Sequence, residues 1–231
     1  PTPRRPRPST PRAAGFGGTI LKTTDGGVTW LSKPAGTTRW LRSVCFPTAS
    51  TGYAVGDSGT ILKTVNGGNN WNLLSSNTTH RLYSVDFVDE IRGFAVGGTE
   101  AAALQVVILR TTDGGQSWGI YPTSFNQVLT SVSFPSANTA YAVGFNGKMV
   151  RTTYAGVTWN AVSTVNPNQL NSVLFTSASN GRIIGNDGTI IYTANGGDAW
   201  TRLGAVTAKG LRDLCFPTPS VGYTAGLSGT I

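Results

Sequence analysis

Apolar and polar residues alternate in short bursts along this chain, and each burst stops at glycine or proline. Leu41-Arg42-Ser43-Val44-Cys45-Phe46 reads as a half-buried strand whose pairing ends at Pro47. Gly52-Tyr53-Ala54-Val55-Gly56 reads as a second strand, and Asp57-Ser58-Gly59 supplies the positive-φ residues of a hairpin turn. Thr60-Ile61-Leu62-Lys63-Thr64 makes a third strand, Asn66-Gly67-Gly68 a second turn, and Asn70-Trp71-Asn72-Leu73 a fourth strand. No apolar run approaches the length needed to span a bilayer as a helix.

The unit recurs. Thr23-Thr24-Asp25-Gly26-Gly27-Val28-Thr29-Trp30 returns at residues 64–71, 111–118, 152–159 and 193–200, so the closing tryptophans are spaced by 41, 47, 41 and 41 residues. That period fits one four-stranded propeller blade, which predicts an all-β propeller over residues 15–231. The longer spacing places an insertion between the second and third strands of one repeat, around residues 99–105. The chain enters at third and fourth strands (residues 18–31) and leaves through first and second strands (residues 211–226), which predicts five blades with a closing blade shared by both ends. Because Gly229-Thr230-Ile231 repeats Gly18-Thr19-Ile20, a fragment of a six- or seven-bladed propeller is the alternative.

The octet resembles the Asp-box, or BNR, repeat. Asp25 and Asp113 keep its acid, Asn66 and Asn195 replace it, and Tyr154 departs from it, while Trp30, Trp71, Trp118, Trp159 and Trp200 close the five copies. The side chain at the acidic position is expected to bind its own turn's backbone while the tryptophan packs against that turn, a scaffold role. Combined with the strands at residues 52–64, the octets look most similar to the photosystem II assembly or stability factors of the thylakoid lumen and their bacterial relatives. The resemblance implies a non-catalytic scaffold that docks on a subunit of a membrane complex. It also implies an extracytoplasmic location, the thylakoid lumen first and the periplasm or a secreted state as alternatives.

Charge and candidate chemistry refine that picture. The net charge is +8, but Arg4, Arg5, Arg7 and Arg12 lie before the first octet in an acid-free, proline-rich segment, residues 1–14, leaving the repeats at +4. This segment is expected to be extended or disordered, and a solvated linker, a targeting remnant and a docking arm for an anionic surface all fit it. The body lacks a concentrated basic and aromatic strip, so no nucleic acid is expected. Cys45 and Cys215 occupy matching places in two repeats, where a disulfide and two buried free thiols are both open.

Catalysis finds little support. Of ten acidic residues only Glu90 and Glu100 are glutamates; Asp57 and Asp187 sit in turns, and Asp86, Asp89, Asp198 and Asp213 show no pairing pattern. His80, the single histidine, is expected at the surface, and no metal site or cofactor motif is present. The repeat instead rotates basic residues: Lys22, Lys63, Arg110 and Arg151 share one third-strand position, with Tyr192 in the fifth copy. Their stems suit packing between blades, and their charges suit an anion-seeking arc. Arg42 and Arg212 share a first-strand position that would line one end of a central channel, and arginine suits bidentate capture of carboxylates. The resemblance adds that this family recognises partners through an arginine patch, which points to the same two residues. Trp40, Tyr83 and Tyr121 are candidate stacking residues for the alternative, an extracellular glycan-binding or glycan-active propeller.

Overall fold

The computed structural model describes residues 12–99, 105–164 and 166–231. These fall into two compact units, residues 12–126 and 127–231. The first holds Arg12–Ala14 (β1), Ile20–Lys22 (β2) and Leu31–Lys33 (β3) in one antiparallel sheet. Its second sheet is Leu41–Cys45 (β4), Gly52–Gly56 (β5), Ile61–Thr64 (β6) and Asn72–Leu74 (β7). Its third is Arg81–Phe87 (β8), Gly93–Thr99 (β9), Gln105–Thr111 (β10) and Gly119–Tyr121 (β11). β9 and β10 run longer than their counterparts, as the insertion requires; residues 100–104 lie outside the described residues.

The second unit repeats the plan. Leu129–Ser133 (β12), Ala140–Gly144 (β13), Met149–Thr152 (β14) and Asn160–Val162 (β15) form one sheet. Leu170–Phe175 (β16), Gly181–Gly185 (β17), Ile190–Thr193 (β18) and Thr201–Arg202 (β19) form the next, and Leu211–Cys215 (β20) pairs with Tyr223–Gly226 (β21). All the strand pairs are antiparallel meanders with the strand order of a propeller blade.

Among the described residues, the strands expected to share a closing blade pair within their own units. β2 is flanked by β1 and β3, and β20 and β21 make a two-stranded sheet of their own. The cause is local: Ala13-Ala14-Gly15 takes the second-strand place that Ala54-Val55-Gly56 takes in the following repeat. Arg12–Ala14 is therefore strand, while residues 1–11 of the expected tail lie outside the described residues.

Packing repeats with the sequence. A large side chain of one sheet packs onto the phenylalanine at or just past the end of the first strand of the next: Arg12 over Phe46 at 3.8 Å, Tyr53 stacked on Phe87 at 4.1 Å, and Tyr141 on Phe175 at 4.9 Å. The octet tryptophan closes each cluster edge-on, with Trp71 against Phe46, Trp118 against Phe87 and Tyr53, and Trp200 against Phe175 and Tyr141. Trp159 is buried too, but Trp30, at the first sheet, is 42% exposed. Tyr53 and Tyr141 each donate from the hydroxyl to a turn carbonyl of the following repeat, Gly114 at 2.6 Å and Gly196 at 2.7 Å, and burial pushes both phenols up to about 12.

Candidate docking site

The first strand of a repeat carries a β-bulge one residue after its leading leucine. The register shifts lie between Leu41 and Ser43, Leu82 and Ser84, Leu129 and Ser131, Leu170 and Ser172, and Leu211 and Asp213. The glycine ending the second strand makes room for it: a Cβ on Gly56 would meet the Trp40 carbonyl oxygen at 2.0 Å, and one on Gly226 would meet that of Gly210 at 2.4 Å. The next residue then donates its backbone N–H to that same carbonyl, Asp57 to Trp40 and Leu227 to Gly210, both at 2.9 Å. The bulged residue and the residue fifteen positions later are thereby set side by side. The bulged residues are Arg42, Tyr83, Thr130, Asn171 and Arg212.

This pairing decides what each arginine does. Arg42 donates Nε to Asp57 Oδ1 at 2.5 Å and Nη2 to Asp57 Oδ2 at 3.2 Å, and its guanidinium lies over Trp40 at 4.3 Å and Tyr83 at 4.9 Å. The two side chains are only 17% and 25% exposed. Asp57, which the sequence explains as a turn residue, is also the counter-ion of Arg42. Arg212, in the second unit, has Leu227 at the matching turn position and is exposed; it reaches Asn171 Oδ1 with Nη1 at 3.4 Å. Asn171 itself donates Nδ2 to Asn186 Oδ1 at 3.1 Å and to the Leu211 carbonyl at 2.6 Å.

Three of the four third-strand cations are tied to a turn of the following repeat. Lys22 Nζ donates to Asn69 Oδ1 at 3.1 Å, Lys63 Nζ to the Gly114 carbonyl at 2.6 Å, and Arg151 pairs with Asp198 at 3.0 Å, each reaching a turn of the following repeat. Desolvation, reinforced by Arg12 and Lys33, draws the Lys22 ammonium below its usual value. Arg110 is half-buried on β10.

The octets behave as local scaffolds. Asp25 accepts from the Thr23 hydroxyl, the Thr29 backbone and the Thr29 hydroxyl, which holds its carboxyl far below the usual range. Asp113 accepts from Ser117 and Thr111 in the same way and falls to about 2. Asn66 accepts from Thr64 and Asn70, and Asn195 from Thr193 and Ala199, without charge. Tyr154 makes no such bridge and is exposed, although the Gly156 N–H still reaches the Thr152 hydroxyl.

Other candidates are accounted for by neighbours. Asp89 pairs with Arg92, Asp86 and Asp213 each accept from the next backbone N–H, and His80 Nδ1 lies 2.6 Å from the Thr99 hydroxyl. Among the described residues no three His, Cys, Asp or Glu side chains cluster as a metal site, and Glu100 lies outside them. Neither Cys45 nor Cys215 is in a disulfide: Cys45 is half-buried with its Sγ 3.7 Å from Asp86 Oδ1, and Cys215 is exposed. Trp40 is 45% exposed and Phe16 meets it edge-on at 5.9 Å, while Tyr83 and Tyr121 are half-buried. The bulge is the feature that sequence reasoning missed; its signal is the fifteen-residue spacing of Arg42 to Asp57 and Arg212 to Leu227.

Residues 118–209, under half of the chain, match the family model for the photosynthesis system II assembly factor YCF48. YCF48 from Cyanidioschyzon merolae superposes with a TM-score of 0.71 at 18% identity, over 96% of this chain and 78% of that one. The chain is a BNR-repeat propeller that resembles the photosystem II assembly factor. A YCF48 bound to a D1 peptide matches at a TM-score of 0.53 and 16% identity, over 98% of this chain and 97% of that one. An ancestral GH74 enzyme gives a TM-score of 0.70 at 16% identity, over 93% of this chain but 31% of its own. None of the curated proteins matches the chain. At these identities the structural likeness speaks to fold, so the role of this chain has to be argued from its own residues.

Proposed function

We propose that this protein is a non-catalytic docking platform, an accessory or assembly factor that binds a carboxylate-bearing segment of a membrane-complex subunit. The observation that carries the reading is Arg212: an exposed guanidinium, presented by a bulge on a preformed sheet, with a single long amide contact. Such a group takes a carboxylate through two parallel N–H donors at little ordering cost. The relative bound to a D1 peptide supports a photosystem II subunit as the partner, and the family resemblance supports an extracytoplasmic, lumenal site of action. Among the described residues no helix is long and apolar enough to cross a membrane, in keeping with peripheral attachment.

The test is binding of a labelled D1 peptide, followed by anisotropy. Arg212→Glu is expected to weaken binding at least about tenfold, since charge-assisted bidentate contacts contribute 1.5–3 kcal/mol by rough estimate. Unchanged affinity overturns the assignment. The glycan alternative rests on the exposed rim of Trp40, yet one face of that ring is taken by Arg42. Glycan-array binding that disappears in Trp40→Ala would favour it.

A further inference from the structure

We infer that the residue fifteen positions after each bulge arginine selects which arginine accepts an external carboxylate: Asp57 keeps Arg42 self-occupied, and Leu227 leaves Arg212 open. The inference rests on the docking reading above and adds to it a built-in selector. Its basis is one backbone device with two outcomes. In both repeats the turn residue's N–H is fixed on the carbonyl preceding the leading leucine; from there the Asp57 side chain reaches Arg42, while the Leu227 side chain lies by Gly210. Where that side chain is a carboxylate, it fills both donors of the arginine's fork; where it is leucine, no anion is supplied.

One of the three repeats between them makes the same contact, Asn171 donating to Asn186 at that spacing, whereas Thr130 donates to the Val143 and Leu170 carbonyls instead. Trp40 and Tyr83 hold the Arg42 guanidinium in place independently of Asp57. Removing the aspartate should therefore leave a preorganised fork without its occupant. An incoming carboxylate on the Nε–Nη2 edge of Arg42 must displace Asp57, whereas one at Arg212 displaces only a neutral amide contact.

The experiment follows arginine Nε–Hε resonances, assigned with Arg42→Lys and Arg212→Lys, during titration with an acetylated tri-glutamate peptide. In the unaltered protein Arg212 is expected to respond at concentrations that leave Arg42 unmoved. Asp57→Asn should bring Arg42 into the responding range, with about tenfold tighter apparent binding at that position. Asp187→Asn, an exposed turn carboxylate in the other unit, controls for the change in net charge. Leu227→Asp should weaken the Arg212 response by about tenfold, with Val206→Asp as its charge control. If Arg212 responds but Arg42 stays silent in folded Asp57→Asn and Leu227→Asp changes nothing, the selector is overturned and the docking reading stands. Should Asp57→Asn fail to fold, the Leu227→Asp arm alone decides. If no arginine responds in any variant, the docking reading itself falls.

Discussion

Arg42 and Arg212 occupy the same place in the repeat and do different work. Arg42 is part of the scaffold: it ties β4 to the following turn through Asp57 and lies against the rings of Trp40, just before β4, and Tyr83 on β8. Arg212 stabilises little and is available to solvent. Equal position in a repeat thus fixes where a side chain emerges, and the neighbour fifteen residues on fixes whether it is free to bind.

The largest effect that breaks this comparison is loss of the bulge. Gly56→Ala drives a Cβ into the Trp40 carbonyl, and the cost is expected to reach about 3 kcal/mol because backbone has to move. Gly226→Ala meets the matching carbonyl at 2.4 Å rather than 2.0 Å, so the loss is expected to be smaller. Denaturant midpoints of the two variants measure the difference; equal losses would show that the sheets are equally constrained.

Next come the arginines themselves. Arg42→Ala leaves a largely buried Asp57 carboxylate without its counter-ion and removes two ring contacts, which predicts about 2 kcal/mol of destabilisation. Arg212→Ala is expected to stay within about 0.5 kcal/mol, as surface substitutions do. Urea unfolding followed by circular dichroism checks both values, and a reversed order would refute the division of labour.

The smallest effect separates the units by acid response. The first unit carries carboxylates at octet positions, Asp25 and Asp113, whereas the second has Tyr154 and Asn195 there. Asp113 is lowered on folding from 3.8 to about 2, so its stabilisation is fully present above pH 3.8 and disappears as pH falls through about 2. Asp113→Asn should flatten stability across that window, while Asn195→Asp should add acid sensitivity to the second unit. Acid titrations monitored by tryptophan fluorescence are the check, and identical profiles for both variants would contradict it.

Much of this was legible in the chain. The octets and their spacing predict the strands of the repeats, because glycine pairs and short alternations leave few other backbone solutions. The strand at Arg12–Ala14 went unread because Arg12-Ala13-Ala14 has no apolar alternation to announce it; Gly15, in the place of Gly56, was the available sign. The site was half legible. Arg42 and Arg212 stand out by register, but the bulge that sets each beside its turn residue is a property of backbone packing around glycine, invisible to periodicity. Repeat register aligns the third-strand cations, but the contacts of Lys22, Lys63 and Arg151 come from the following repeat, which the pattern within one repeat does not announce.

The most direct measurement is hydrogen exchange of the arginine Nε–Hε groups in the ligand-free protein. The account predicts slow exchange for Arg42, whose Nε donates to Asp57, and fast, solvent-like exchange for Arg212. Equal exchange at the two positions would contradict it.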